Sequence, residues 1–355
     1  MSQTSTDSPS SAPRARVRRL AVAAAMAGVV LAIVVVGYFN VGQVLAAMQR
    51  IGLGGFAAAI AAQVVLFLPL GMAWWVLTER DRPLSGFIWS RLIREAVSDL
   101  LPLSQLGGLA GASRAVTLCG VSAAVAAGSS LADAMIEAVA QLTYTAVGLA
   151  ILAESLGGAS SHLPLLRNGI IGVAVSTVMI GVGIATHRRW TGWIGGKISQ
   201  VFPALAGQAD AVGVAVNRGL GRPARLVTAL ILHVSCWFGA AGGTWLMLAF
   251  LGHRVSFSAV VGLESLLFAI RNAAFMAPSG VGVQEAAYAL LGPLFGIPPQ
   301  AALALSLLKR GRDLCVGLPL LLSWQWAERR HAARSAQKPP AGPSGPVDGA
   351  ASPVA

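Results

Sequence analysis

The sequence predicts an all-α protein, a polytopic bundle of transmembrane helices, and three observations lead to this prediction. Hydrophobic residues make up 55% of the 355 residues, and charged residues make up only 11%. Soluble domains carry about 25% charged residues, so this chain has too little polar surface to cover a globule. The mean hydropathy is +0.69, and the apolar residues form uncharged runs of about 20 residues, the length that crosses a bilayer. A sizeable soluble catalytic domain is therefore excluded.

Six runs have the length and composition of full membrane spans. The tail of residues 1–19 precedes them and the tail of residues 327–355 follows them, and we expect both tails to be disordered. The first run is too long for the apolar core of a signal peptide and is interpreted as an anchor. The six spans are approximately Leu20–Phe39, Phe56–Leu77, Val121–Leu152, Leu165–Thr186, Leu226–Leu251 and Pro299–Trp326.

The net charge of +12 is concentrated in the tails and in short loops. Positive-inside topology explains this distribution better than nucleic-acid binding, so no nucleic-acid partner is expected. The loop of residues 187–225 is strongly basic, and residues 209–220 within it form a short amphipathic helix that we expect on the membrane surface. This topology predicts a multi-pass protein of a bacterial inner membrane with both termini in the cytoplasm.

Two further segments, Phe87–Leu118 and Ser256–Phe295, are apolar but interrupted. Proline removes a hydrogen-bond donor from a helix, and paired glycines lower helix propensity. We interpret each segment as a broken helix or re-entrant hairpin, and a pair of full spans is the alternative. The residues expected to act as structural hinges are Pro102, Gly107, Gly108, Pro278, Gly280 and Gly282.

The two interrupted segments resemble each other, which indicates an internal repeat. Pro102 and Pro278 are 176 positions apart, and at the same offset Gly120 matches Gly296. In the predicted topology the first segment enters from the cytoplasm and the second from the opposite side, so the repeat is inverted, as in many transporters. The alternative is that two unrelated loops both use proline and glycine. The half-repeats are approximately residues 56–152 and 226–326.

Charged and polar side chains within the apolar segments predict a polar cavity. A charge at the centre of a membrane helix costs about 2.5–3.5 kcal/mol, so these residues seldom face lipid. The cations suit a phosphate group, and on the last span Asp313 could pair with Lys309 or Arg310, one turn earlier. Ion pairs that only lock the broken helices together are the alternative. The candidate substrate-binding residues are Arg94, Glu95, Asp99, Arg114, Asp133, Glu137, Gln141, Glu264, Arg271, Glu285, Lys309, Arg310 and Asp313.

No catalytic motif, metal site or cofactor site is expected from the sequence. The three cysteines lack the spacing of metal ligands, and the five histidines form no HExxH motif. His233, in the middle of a span, is expected to be a hydrogen-bonded polar residue rather than a ligand. The chain is therefore not expected to be an enzyme.

The second interrupted segment and the span after it closely resemble HpnL-type membrane proteins, which are encoded with hopanoid-biosynthesis enzymes. The resemblance rests on residues 264–285 and on the stretch Ser306–Asp313. HpnL-type proteins are similar to the flippase-like transmembrane region of lysylphosphatidylglycerol synthase (MprF). The positions that match signature positions of this family are Arg94, Glu95, Pro102, Gly107, Gly108, Arg114, Pro278, Gly280, Gly282 and Glu285.

The resemblance implies a flippase-like transmembrane domain over residues 20–326 and an activity that moves a lipid across the bilayer. A link to hopanoid biosynthesis is implied by the gene association alone. In the synthase a soluble aminoacyl-transfer domain follows the membrane region, whereas this sequence continues into a short Pro/Gly-rich tail. Lysyl transfer is therefore not expected.

Three functions are consistent with the sequence, and lipid translocation is the leading hypothesis. A translocase would bind membrane lipids, with hopanoids or anionic phospholipids as candidates. A non-transporting scaffold would instead dock hopanoid-biosynthesis enzymes through the 187–225 loop. An intramembrane lipid-modifying enzyme is the third alternative.

Overall fold

The protein is a bundle of α-helices in a computed structural model, which describes residues 41–100, 104–155, 163–201, 206–273 and 281–337. No strand occurs within these ranges, so the predicted all-α class is confirmed. The first predicted span, most of both tails, and the predicted hinges Pro102, Pro278 and Gly280 lie outside the described residues.

The described ranges contain twelve α-helices and one short 3₁₀-helix, which covers Gly292–Phe295. The α-helices are α1 (Val41–Arg50), α2 (Gly52–Val76), α3 (Leu84–Leu100), α4 (Ser104–Leu118), α5 (Ala123–Ser155), α6 (Leu163–Ala185), α7 (His187–Val201), α8 (Ala206–Leu220), α9 (Pro223–Phe250), α10 (Phe257–Ala273), α11 (Val283–Leu291) and α12 (Pro299–Ala336).

Four of these helices, α2, α5, α6 and α9, are long and apolar enough to cross a membrane. They correspond to the second to fifth predicted spans. The sixth predicted span is α12, which has 38 residues and a length of about 57 Å. It extends ten residues past the predicted end at Trp326, and it carries a charged stretch from Lys309 to Asp313.

The first interrupted segment is a hairpin of α3 and α4. Near the start of α3, Trp89 Nε1 donates a hydrogen bond to Ser323 Oγ over 3.1 Å. Near the end of α4, Arg114 pairs with Glu328 over 2.7 Å. Because Ser323 and Glu328 are five residues apart on α12, α3 begins and α4 ends at the same end of the bundle. A pair of full spans would also return the chain to this end, but α3 has 17 residues and α4 has 15, fewer than the about 20 residues that cross a bilayer.

The second interrupted segment, α10 followed by α11 and the 3₁₀-helix, is a hairpin that opens at the opposite end. Gly262, near the start of α10, packs against the ring of Phe295, where the segment ends. Gly262 also faces Ile151, close to the last turn of α5. Because α5 begins directly after α4 and is about 50 Å long, its last turn lies far from Glu328.

Helices α2–α5, the first half, and α9–α12, the second half, follow each other in the same order. Helices α5 and α12 begin at Ala123 and Pro299, which have the same offset of 176 positions as the two prolines. The glycines before them, Gly120 and Gly296, both have a positive φ, of 89° and 76°. Across the halves, α3 packs on α12, α10 on α5, and α2 on α9. Thus α3 and α10, which are equivalent, each pack on the last helix of the opposite half, and α2 packs on its own equivalent. Two repeats related by a twofold axis, as in an inverted repeat, make contacts of this kind.

The predicted surface helix, α8, is packed against the bundle. Its residues Val216 and Leu220 are buried. Gly128 of α5 lets the two helices approach, since a Cβ there would lie 2.6 Å from the Cβ of Ala215. The apolar core is largest where α5, α9, α10 and α12 meet. Polar side chains are gathered instead around a cavity near the middle of the bundle.

Candidate functional site

A cavity of about 430 Å³ lies where the two halves meet. Its wall combines residues of α2, α3, α4 and α5 from the first half with residues of α9, α10 and α12 from the second. The charged side chains in the wall comprise four cations and four anions, so their formal charges cancel. They are Arg94, Glu95, Asp99, Glu137, Arg271, Lys309, Arg312 and Asp313. The remaining wall includes neutral polar residues and the aromatic rings of Trp237 and Phe268.

One wall is a ladder of ion pairs between α3 and α5. Arg91 contacts Asp133 over 3.2 Å and Glu137 over 2.5 Å. Arg94 contacts the same two carboxylates over 3.3 and 2.7 Å. Each pair of like charges is about one helical turn apart, so the two cations of α3 face the two anions of α5. Arg91 and Asp133 are 1% exposed, and Glu137 reaches the cavity.

A second buried cluster joins the four helices of the second half around Lys309. Its Nζ donates to Glu264 over 2.6 Å, to the Tyr288 hydroxyl over 2.8 Å and to the Thr244 hydroxyl over 3.3 Å. The Tyr288 hydroxyl in turn donates to Glu264 over 2.5 Å. Glu264 and Tyr288 are completely buried, and Lys309 also forms part of the cavity wall.

The start of α11 is fixed to α12 through Glu285. Its Oε2 accepts a hydrogen bond from the backbone N–H of Gly282 over 2.7 Å, in the manner of a capping box. Its Oε1 accepts from Arg310 over 2.7 Å and from the Ser306 hydroxyl over 3.2 Å. Gly282 has a φ of 80°, which glycine adopts without strain.

One ion pair within the cavity joins the two halves. Arg271 of α10 contacts Asp99 of α3 over 3.2 Å, and the two side chains are 21% and 26% exposed. Beside them, Arg312 contacts the neighbouring Asp313 over 2.8 Å. All four residues form part of the cavity wall. The Asp99–Arg271 pair is the more exposed of the two, so it can exchange a partner for a bound polar ligand at lower cost than the buried clusters.

The geometry agrees with a comparison of the chain with protein families. The family described as the lysylphosphatidylglycerol synthase TM region has a model that matches residues 21–320. The chain belongs to this family. The match includes the first half, the second half as far as residue 320 and every residue of the cavity wall. With the apolar helices it establishes an integral, multi-pass membrane protein. Neither a curated protein nor a solved structure gave a match.

In this family member, the structure brings most of the predicted substrate-binding residues to the cavity wall. Those in the wall are Arg94, Glu95, Asp99, Glu137, Gln141, Arg271, Lys309 and Asp313. The other predicted residues lie elsewhere. Asp133 and Glu264 are buried behind the wall, where they hold its cations, and Glu285 and Arg310 anchor α11. Arg114 lies at the end of the bundle with Glu328.

The predicted ion pairs within the last span are wrong. Lys309 pairs with Glu264 and Arg310 pairs with Glu285, while Asp313 pairs with Arg312. Carboxylates from α10 and α11 pack directly against α12, so they replace a partner on the same helix. The cations proposed for a phosphate are thus all paired with carboxylates, and the cavity is charge-balanced rather than positive.

Two of the predicted hinges lie away from the break, and one of them is a contact residue. Gly107 and Gly108 lie inside α4, which begins at Ser104, and not at its break. A Cβ on Gly108 would collide with the Ser98 hydroxyl and would lie 2.8 Å from the carbonyl oxygen of Arg94. Gly108 therefore allows α4 to lie directly against α3. Gly282 does lie at a helix start, as expected for a hinge.

Several important residues were not in the predicted set. Arg91 was not among the candidates, although its spacing to Arg94 and Glu95 places all three on one helix face. Arg312 was passed over beside Asp313. Tyr288 gave no signal, because a tyrosine in an apolar run is usual for a membrane helix. The predicted hydrogen bond of His233 is present, to Asp133 over 3.0 Å.

Proposed function

We propose that the protein moves a lipid across the bilayer of a bacterial inner membrane by passing its polar headgroup through the cavity. The observation that supports this most directly is a cavity of about 430 Å³ with eight charged side chains at the junction of two inversely oriented halves. Ion pairs that served only to lock helices together would not require a cavity. Paired broken helices at a central site are also the arrangement found in many secondary transporters.

The balance of charge in the cavity favours particular headgroups. A lone phosphate would compete with four carboxylates for the cations. A zwitterionic headgroup can place opposite charges beside Asp99 and Arg271 without leaving either unpaired. A polyol can use the same groups through hydrogen bonds. Both descriptions are compatible with the hopanoid link that the sequence resemblance implies, and we include that link in the proposal.

The cavity has the size of a headgroup site. Its volume lies within the range of about 300–1,000 Å³ that is usual for small-molecule sites. The lipid tails would remain in the surrounding bilayer, beside the apolar faces of the helices. The rings of Trp237 and Phe268 in the wall offer apolar surface to the carbon atoms of the headgroup.

The proposal is tested with purified protein in vesicles that contain traces of labelled lipids with zwitterionic, polyol or anionic headgroups. We expect movement between leaflets to be faster with protein than without, and fastest for the first two classes. Arg271→Ala should slow it at least about tenfold, equivalent to about 1.4 kcal/mol. Arg222→Ala is the matched control, because this arginine pairs with Glu79 outside the cavity, with 48% of its side chain exposed.

The same vesicles separate the alternatives. No movement of any lipid with correctly folded protein would contradict translocation and favour a scaffold. A lipid of altered mass, detected by mass spectrometry, would indicate a lipid-modifying enzyme. Equal rates for the wild type and Arg271→Ala would show that lipid moves by a route outside the cavity.

A further inference from the structure

The ladder between α3 and α5 contains one more carboxylate than guanidinium. Arg91 contacts Asp133, Glu137 and Glu95, and Arg94 contacts the first two. Glu95 is 27% exposed and faces the cavity, whereas Arg91 and Asp133 are 1% exposed. A net charge in such a buried place is costly. The group is balanced only when one additional positive charge, or one proton, is bound to it.

His233 of α9 supplies the place for that proton. Its side chain is completely buried, and its Nε2 lies 3.0 Å from Asp133 Oδ1. Its Nδ1 is also buried and has no hydrogen-bond partner among the described residues. When Nε2 carries the hydrogen that Asp133 accepts, Nδ1 has an unused lone pair and can take up a proton. The imidazolium then faces the carboxylate that has the least exposure in the cluster.

We infer that His233 and Asp133 form a proton-binding site between the two halves, and that its proton is bound and released as the lipid headgroup moves. The first part depends only on the buried pair and its charge. The second part rests on the proposed translocation. A proton would give the transporter a source of energy, because a proton gradient could then bias the direction of lipid movement.

The other helices packed against α9 leave this pair isolated from competing charges. Helix α2 carries no charged residue. On α8, Arg218 is exposed and Asp210 faces Gly195 of α7. From α10 and α12, the nearest contact of a charged group with α9 is that of Lys309 with Thr244, about 16 Å further along the helix. The charges that face His233 are thus those of α5, Asp133 and Glu137, and behind them those of α3.

The pair links proton binding to the relation between the halves. His233 belongs to the second half and Asp133 to the first, so the charged pair joins α9 to α5. Glu137, one turn from Asp133, forms part of the cavity wall beside Arg94. A headgroup that draws Arg94 or Glu137 towards itself would change the charge felt by Asp133. Headgroup binding and proton binding would then alter each other's affinity reciprocally.

The first experiment measures the proton directly, without transport. The other four histidines are replaced by glutamine, and the ring nitrogens of His233 are labelled with ¹⁵N in the otherwise intact chain in detergent micelles. We expect their NMR signals to report one protonation of the ring as the pH is varied over the range in which the protein stays folded. Signals that stay constant over this range would overturn the proton site, whether or not the protein moves lipid.

The second experiment imposes a pH difference of about one unit across vesicles that contain the protein. A lipid that moves with one proton should shift its distribution between leaflets by up to about tenfold. His233→Gln should abolish this shift, whereas His253→Gln, three residues past the end of α9, should retain it. A wild-type distribution that ignores the gradient while lipid still moves would overturn the coupling and leave translocation intact. Titration of His233 without any lipid movement would support the site and contradict the proposed function.

Discussion

Buried ion pairs in this bundle take their partners from different helices. Lys309 is the clearest case, because its ammonium contacts Glu264 and Tyr288 from two neighbouring helices, and Glu264 is completely buried. Removing Glu264 leaves Lys309 charged and without its carboxylate partner in a place where it is only 7% exposed. The cost of that is usually larger than the net contribution of the intact pair.

Glu264→Gln should therefore destabilise the protein by about 3–5 kcal/mol. The measurement is thermal or denaturant-induced unfolding in detergent. The double variant Glu264→Leu, Lys309→Met should recover a large part of the loss, because neither charge then remains. Glu79→Gln is the control for the loss of an exposed pair and should cost less than about 1 kcal/mol. Equal effects of Glu264→Gln and Glu79→Gln would show that the Lys309 cluster is not buried in solution.

Sequence reasoning found most of the buried charges, with Arg91 and Arg312 as the exceptions, but not their partners. The spacing of Asp133 and Glu137 was enough to place both on one helix face, and both do face Arg91 and Arg94. The partner of Lys309 lies 45 positions earlier in the chain. No periodicity within α12 could identify Glu264, because that contact depends on how α10 packs against α12.

At the scale of helices, several close approaches depend on the absence of a side chain. Gly148 of α5 lies against Ser265 of α10, and a Cβ there would collide with the serine hydroxyl and lie 2.7 Å from its Cβ. The contact between α3 and α12 is the equivalent one in the repeat. There Trp89 of the first half donates a hydrogen bond to Ser323 of the second half. These two contacts fix how each hairpin lies on the long helix of the opposite half.

Gly148→Ala should destabilise the bundle by about 1–3 kcal/mol, because α5 and α10 must separate. Gly243→Ala is the matched control, since a Cβ at that position of α9 meets nothing within 4 Å. In that open place alanine should be neutral or stabilise the helix by up to about 1 kcal/mol. Unfolding midpoints in the same detergent distinguish the two. The same sign of change for both variants would contradict the packing of α5 against α10.

The first hairpin is also held at its open end, outside the apolar part of α12. Hydrogen bonds from Arg114 hold the pKa of Glu328 below its ordinary value. A carboxyl group with a lowered pKa stabilises the folded state above its unfolded pKa of about 4.3, and this contribution is lost as the pH falls through the folded value.

Glu328→Gln should accordingly lower the free energy of unfolding at pH 7 only slightly. The loss should be less than about 1 kcal/mol, because the pair is exposed. The difference from the wild type should shrink as the pH falls below about 4.3, because Glu328 itself then loses its charge. Unfolding curves of both proteins at several pH values provide the measurement. A difference that grows on acidification would mean that the pair is absent in solution.

Helices were predicted more completely than their ends and contacts. The long apolar runs identified α2, α5, α6 and α9, since hydropathy over about 20 residues depends little on tertiary structure. Of the glycines predicted as hinges in the two interrupted segments, Gly282 does begin a helix, whereas Gly107 and Gly108 lie inside α4. The position of α8 could not be predicted from its sequence. An amphipathic helix can bury its apolar face in a membrane or, as here, against Gly128 of a neighbouring helix.

At the scale of the whole molecule, the two halves form one polar cavity within an apolar bundle. The Asp99–Arg271 pair crosses between them inside this cavity, whereas Arg114–Glu328 and Glu79–Arg222 cross at the end of the bundle. In the proposed translocation, halves that move relative to each other would remake such contacts in each cycle. The partly exposed pair in the cavity would be the one that the headgroup reaches.

The most direct test of a charge-balanced route for the headgroup is an exchange of charges at this pair. Lipid movement in vesicles is measured for the wild type, Asp99→Arg, Arg271→Asp and the double variant, with the amount of folded protein equalised. Each single variant should be at least about tenfold slower, and the double variant should recover to within about threefold, since coupled residues typically compensate by about 0.5–3 kcal/mol. Single variants as fast as the wild type, or a wild type that moves no lipid, would contradict the account.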